Sequence, residues 1–307
     1  MDFLFRLTSS ISFTFACQSG INLRAQLLLK RMEMCTAHIA FKKAGPAYHQ
    51  EGLLMALWKM AVLTGALAGA PFTMLPFSGH GKMATIPQQS YASDMQLQAK
   101  RSAVDFLPDG DPHKLLWKHA DSMEFDTDAS GKSHFPEIST RVASVWTETY
   151  VYFLFWCSYD SLNVYQGEDP KVERWQLWDR DVAEVFLNPQ PERVNHYYEF
   201  EVAPNNQWID LEIDKTKNPF NDASWNSGFE HATRIDAKNH IWTAEMRIPV
   251  SSMNVSAIRP GGEWRANFFR AAGEGRDDRR KFLAWSIIPE GKTFHVPTRF
   301  GILRLVN

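Results

Sequence analysis

Trp175-Gln176-Leu177-Trp178-Asp179-Arg180-Asp181-Val182-Ala183-Glu184-Val185-Phe186 opens on two tryptophans beside two aspartates and an arginine, then turns into an alternating strand. Alternation sends successive side chains to opposite faces of a sheet, so Val182, Glu184 and Phe186 share a face while Val185 points away. A carboxylate between apolar residues on one face needs a reason. Either both tryptophans are core residues and Glu184 is ion-paired, or that face lines a polar cleft. Rings beside fixed carboxylate, amide and guanidinium groups suit sugar recognition, with rings on C–H faces and polar groups on hydroxyls.

Working outward, the same strand grammar repeats. The segments 138–145, 150–159, 181–188, 197–202, 208–213, 229–235, 241–248, 264–271, 282–288 and 300–306 read as strands bounded by Pro, Gly, Asn and Asp. Tyr150–Tyr159 is almost wholly apolar and reads as a central strand buried on both faces. Roughly ten short strands without intervening amphipathic helices predict an all-β antiparallel β-sandwich, immunoglobulin-like or jelly-roll-like, over 105–307. Leu115–Ala120 reads as one helical turn docking on it.

The N-terminal part differs. Residues 1–54 mix an apolar run, Phe3–Ala16, with a basic, Leu-rich stretch, Arg24–Arg31, and read as an upstream extension with no fold, the alternative being an N-terminal helical hairpin or anchor. Phe15-Ala16-Cys17 has a lipoprotein-like look, but the preceding residues do not support it. Met55–Ala70 has a short basic start, an apolar run and Ala68-Gly69-Ala70, the pattern of a secretory signal. It is too short for a stable membrane span. Residues 71–104 are polar and carry Pro71, Pro76 and Pro87, so they read as a linker. A secreted, periplasmic or extracellular protein is therefore expected.

The net charge of −2 over 307 residues gives no support for nucleic-acid binding. The cysteines Cys17, Cys35 and Cys157 do not make a disulfide framework. No G-x-S-x-G, H-E-x-x-H or phosphate loop is present, and no two carboxylates stand out as an acid–base pair. Glu199 and Glu201 read as solvated or ion-paired positions of one strand face. His295 reads as a hydrogen-bonded structural residue, and Arg276–Lys281 as a solvated loop of mixed sign. Asp126, Asp128, Ser130 and Glu137 fit the spacing of a calcium loop, but no flanking helices accompany them, so an ordinary Asp/Ser/Gly loop is the simpler reading. Asn267, inside an apolar strand, must satisfy its amide against backbone or a ligand hydroxyl.

Taken in order, several landmarks resemble the carbohydrate-binding module family 9 type of domain, related to DOMON-like sandwiches. They are Asp109-Gly110, Trp117, Glu137, Thr140-Arg141-Val142, Leu177-Trp178-Asp179-Arg180-Asp181, Glu184, Tyr198-Glu199-Phe200, Trp242, Glu245, Trp264 to Arg270, Trp285-Ser286 and Phe294-His295. The resemblance covers about residues 100–307. It implies non-catalytic binding of an oligosaccharide or polysaccharide, often a chain end, in carbohydrate catabolism. Hydrolysis of O-glycosyl compounds would then fall to a glycoside hydrolase acting in trans. By resemblance the ring-and-carboxylate pair falls on Trp178 and Glu184, and a polar ligand residue on Asn267. The second clamp tryptophan is replaced by Arg270, with Trp285 as an alternative plate and Trp175 beside the first. The family often carries structural calcium. The related sandwiches also imply a haem-binding electron-transfer alternative, with Met246, Met253, His231 and His240 as conceivable ligands. Direct hydrolysis and a ligand-free structural or adhesion role complete the readings.

Overall fold

A computed structural model describes residues 91–307 apart from Glu168 and residues 274–278. The expectations for 1–54, for the signal-like segment 55–70 and for most of the 71–104 linker lie outside the described residues. Among the described residues no helix is long and apolar enough to cross a membrane.

The described residues form a curled 13-stranded sheet in two facing layers. One layer runs β8 (Asn221–Asp222), β7 (Trp208–Asp214), β6 (His196–Val202), β5 (Val182–Asn188), β11 (Glu263–Ala272) and β13 (Gly301–Val306), with β12 (Lys281–Ala284) beside β11. The other runs β1 (Gln96–Arg101), β3 (Thr140–Trp146), β4 (Tyr150–Ser158), β10 (Ile241–Pro249) and β9 (Glu230–Asp236), with β2 (Ser122–Phe125) on β3. Helix α1 is the short turn Leu115–His119.

The all-β sandwich expectation holds, with one correction. The sheet is mixed, because β1 pairs in parallel with both β13 and β3. That strand also lies inside the stretch read as linker. Its sequence is polar, and only Leu97 and Ala99 are buried.

The strand parity explains the packing. Ala183, Val185 and Leu187 of β5 and Tyr198, Phe200 and Val202 of β6 face the opposite layer. There they meet Phe153 and Phe155 of β4 and Met246 of β10 in one core. Phe153 and Phe268 close that core, with ring centroids 5.6 Å apart. The residues between them point the other way. Val182, Phe186, Tyr197, Leu211, Phe269 and Ala271 form a second cluster, covered by Ile288, Phe294, Val296 and Phe300. Both faces of β5 and β6 are therefore covered, and every residue of these strands is buried. The outer cover is incomplete, and the cleft lies there.

Candidate functional site

The cleft occupies about 660 Å³ on the outer face of the β5–β6–β7–β11 layer. This lies within the range of small-ligand sites, about 300–1,000 Å³. Trp178, Phe220, Phe282 and Phe294 stand at its walls, and Glu184, Glu199 and Glu201 at its floor.

Register explains the floor. Glu184 of β5 lies directly opposite Glu201 of β6, and Phe186 opposite Glu199. Like charges facing each other across an antiparallel pair are destabilising. Here the three carboxylates bring ligand atoms within 4.8 Å of one another. All three residues are buried. Glu184 Oε1, Glu199 Oε2 and both oxygens of Glu201 have no hydrogen-bond donor from the protein.

Burial pushes each acid up in pKa. Glu199 is held at about 7 by desolvation. Glu184 lies well above the carboxylate range through burial and then Glu199, opposed by Arg280 and Arg270. Glu201 is raised by burial, then by Glu184 and Glu199. The cluster sits where charge is expensive and hydroxyl hydrogen bonds are strong. His295, above Glu199 at 3.9 Å, is driven down to about 4 by burial and Lys215, so it is neutral at pH 7. Its Nδ1 shares a 2.9 Å hydrogen bond with the Tyr197 hydroxyl.

Local structure positions Trp178. Gln176 adopts a left-handed backbone (φ 63°) that starts a 3₁₀ turn over Leu177–Asp179. Leu177 is buried beneath it, leaving Trp178 at the cleft wall. Arg280 donates from Nη2 to the Trp178 carbonyl and, at 3.0 Å, to the Arg180 carbonyl. Trp175 is 44% exposed and packs edge-on against Trp178, at 5.0 Å between centroids. It braces Trp178 edge-on and, unlike Trp178, is not a cleft-lining residue.

Not every expected site residue joins this group. Trp178 and Glu184 line the cleft. Asn267 lies on the cleft-side face of β11 but is fully buried and satisfied by backbone. Its Nδ2 donates to the Ser286 carbonyl at 2.9 Å, and its Oδ1 accepts from the Ser286 and Phe268 amides. It anchors the segment after β12. Arg270 is 0% exposed and lies between the layers. Its guanidinium stands 4.9 Å from the centre of the Trp242 ring and 3.6 Å from Asp181. Residues three apart on a strand point to opposite faces, so Asn267 and Arg270 cannot form one clamp. Trp285 is likewise packed in the inter-layer core against Phe268, at 5.1 Å.

The calcium-loop residues are also engaged. Asp128 accepts from the Lys132 and Ser133 amides and the Ser130 hydroxyl. Asp126 pairs with His134 at 2.9 Å. Lys281 bonds Glu137 and holds its carboxyl below the usual range. Among the haem-ligand candidates, Met246 and Met253 are core residues, and His231 packs between Trp208 and Phe229.

The reading of Glu199 and Glu201 as solvated or ion-paired strand positions, and of Arg280 as part of a solvated loop, is corrected: all three are buried at the cleft. Phe282 and Phe294 line it without having been read as site residues. The alternation of Tyr197, Glu199 and Glu201 opposite Glu184 was visible, but the cover over that face was not.

A mixed β-sandwich carrying a ring-walled, carboxylate-floored cleft defines a small-ligand-binding module. Residues 109–307 match the profile described as carbohydrate family 9 binding domain-like, and the chain belongs to that family. A solved structure from Bacteroides uniformis, whose proposed role is carbohydrate binding, superposes with a TM-score of 0.56 at 18% identity. That match covers 69% of this chain and 100% of the other. A carbohydrate-binding module family 9 domain of Caldicellulosiruptor kristjanssonii, solved with cellotriose, gives a TM-score of 0.49 at 14% identity, covering 69% and 94% of the two chains. A relative from Arthroderma benhamiae named "Extracellular protein" is 28% identical over 138 residues, 40% of this chain. The chain spans 60% of that relative's length.

Proposed function

We propose that the cleft binds a carbohydrate without catalysis, with Trp178 as the stacking wall and Glu184, Glu199 and Glu201 taking hydroxyls. The observation that carries this reading is the placement of rings over a buried polar floor that the protein itself leaves unsatisfied. Sugar hydroxyls match such a floor, since each can donate and accept, and a ring face removes the C–H surface from water. Phe282 and Phe294 stand ready as the second wall, in the role the resemblance gave to a second tryptophan. Trp175 packs edge-on against Trp178 and holds that wall in place. All three acids rise from the floor rather than from opposite sides of the cleft. A glycosidase needs its pair to flank the scissile bond. The reading is therefore binding, with hydrolysis left to a glycoside hydrolase in trans.

We also propose an extracellular or periplasmic location. The signal-like segment Met55–Ala70 and the name of the Arthroderma relative support it. Calorimetric titration of the full chain against a panel of soluble oligosaccharides tests the binding reading. Saturable binding of at least one member is expected, weakened about tenfold or more in Trp178→Ala, or about 1.4 kcal/mol. Binding that Trp178→Ala leaves untouched would remove the cleft from the account.

A further inference from the structure

We infer that Glu184, Glu199 and Glu201 form a divalent-cation site suited to calcium on the cleft floor, and that a bound glycan completes the cation's coordination. The second half rests on the carbohydrate reading; the first does not.

Three observations carry the site. First, the donor set is built. The three carboxylates are fixed on adjacent strands by ladder register, with Glu184 facing Glu201, and are not gathered on a surface loop. Second, Glu184 Oε1, Glu199 Oε2 and both oxygens of Glu201 are buried and lack a protein donor. A fold that merely tolerated these acids would supply donors, because an unmade bond to a buried charged group is destabilising by several kcal/mol (~1–3 or more). Glu199 and Glu201 contact one another closely enough to share a hydrogen bond while one of them holds a proton, and they repel when both are ionised. Third, the nearby cations do not balance them. Arg270 lies on the other face of β11 beside Asp181. Lys281 is held by Glu137. Among the described residues, Arg280 is the cleft-lining guanidinium whose charge bears on Glu184, and it also bonds the carbonyls of Trp178 and Arg180. When the three carboxylates are ionised their charge exceeds that of Arg280, and a divalent ion offsets the excess.

Oxygen-only ligands suit calcium or magnesium. Calcium accepts about six to eight oxygens in flexible geometry, whereas magnesium demands a near-ideal octahedron. Three carboxylates fixed by ladder register favour the ion that tolerates irregular geometry. The donors approach from the floor only, so the cation's remaining positions face the cleft, where sugar hydroxyls would lie. The loop of Asp126, Asp128 and Ser130 reaches the same cleft through Asp128 and Ser130, but its carboxylates have their own protein donors.

The test uses the full chain, stripped with chelator and titrated calorimetrically with calcium chloride, then with magnesium chloride. Glu201→Gln, Glu184→Gln and Asp126→Asn are run beside it, each checked for native circular dichroism. One calcium per chain is expected. Affinity should fall at least tenfold in both cleft variants, stay unchanged in Asp126→Asn, and be weaker for magnesium. No calcium uptake by the folded wild-type chain, or uptake lost only in Asp126→Asn, overturns the site. The glycan arm repeats the oligosaccharide titration with calcium and with chelator. A tenfold or greater loss in chelator supports shared coordination, and equal affinity overturns it. Glycan binding without calcium uptake would sink the cation site while leaving the carbohydrate reading intact. Calcium uptake without glycan binding would do the reverse.

Discussion

Replacing Glu201 by glutamine should make the chelator-treated protein more stable, not less. Glu201 is 0% exposed, neither carboxylate oxygen has a donor, and Glu184 lies directly opposite. Two unit charges at the 4.8 Å limit of the cluster repel by about 3.5 kcal/mol at an effective dielectric constant near 20. The protein escapes that repulsion only by holding a proton against a deprotonating solution, which itself lowers stability. Glutamine keeps shape and volume and removes the charge. Its amide still loses water, at about 1–2 kcal/mol. The difference is a gain of about 1.5–2.5 kcal/mol, or roughly 3–10 °C in Tm for a domain of this size. Thermal unfolding followed by circular dichroism at pH 7.5 in chelator reads it directly. With calcium present the order should invert, because only the wild type gains ligand stabilisation. A Tm several degrees lower for Glu201→Gln in chelator would mean that the fold already satisfies this carboxylate, and the reasoning for both the polar floor and the cation site would fail.

Arg270→Met should destabilise by about 3–5 kcal/mol in urea unfolding, because it leaves Asp181 buried without its cation. The folded fraction should still bind glycan within about threefold of wild type, and selective loss of glycan binding at unchanged stability would return Arg270 to the site. Glu173 offers a pH test away from the cleft, where burial and Asp210 raise its pKa from 4.5 to about 7. A carboxyl raised on folding stabilises fully below its unfolded pKa, and that contribution is lost as pH rises through the folded value. The half-buried position discounts the effect to about 1 kcal/mol. Wild type should therefore lose about that much more stability than Glu173→Gln between about pH 4.5 and 7, and parallel pH profiles would contradict it.

Much of the fold was legible because alternation and apolar runs report directly on strands buried on one or both faces. The segments 150–159 and 264–271 are read correctly for that reason. β1 escaped because Gln96–Arg101 has only two buried residues, and its parallel pairing leaves no mark in local sequence. The face of Glu184 was legible from its neighbours. The role of Glu199 and Glu201 was not, because an outer strand face reads as solvated unless its cover is known. Here that cover comes from residues 282–296, distant in sequence. Arg270 is the instructive case. Its position suggested a replacement clamp, yet its three-residue offset from Asn267 already placed the two side chains on opposite faces.

The central claim is that ligand meets the chain at the outer face of β5 and β6, under Trp178. Indole resonances of the full chain, labelled with nitrogen-15 at tryptophan and titrated with a bound oligosaccharide, report on this site by site. The indoles of Trp178 and Trp175 should shift saturably, while those of Trp146, Trp242, Trp264 and Trp285, buried in the core, stay in place. Saturable shifts confined to other rings, with Trp178 unmoved, would place the ligand elsewhere and contradict the account.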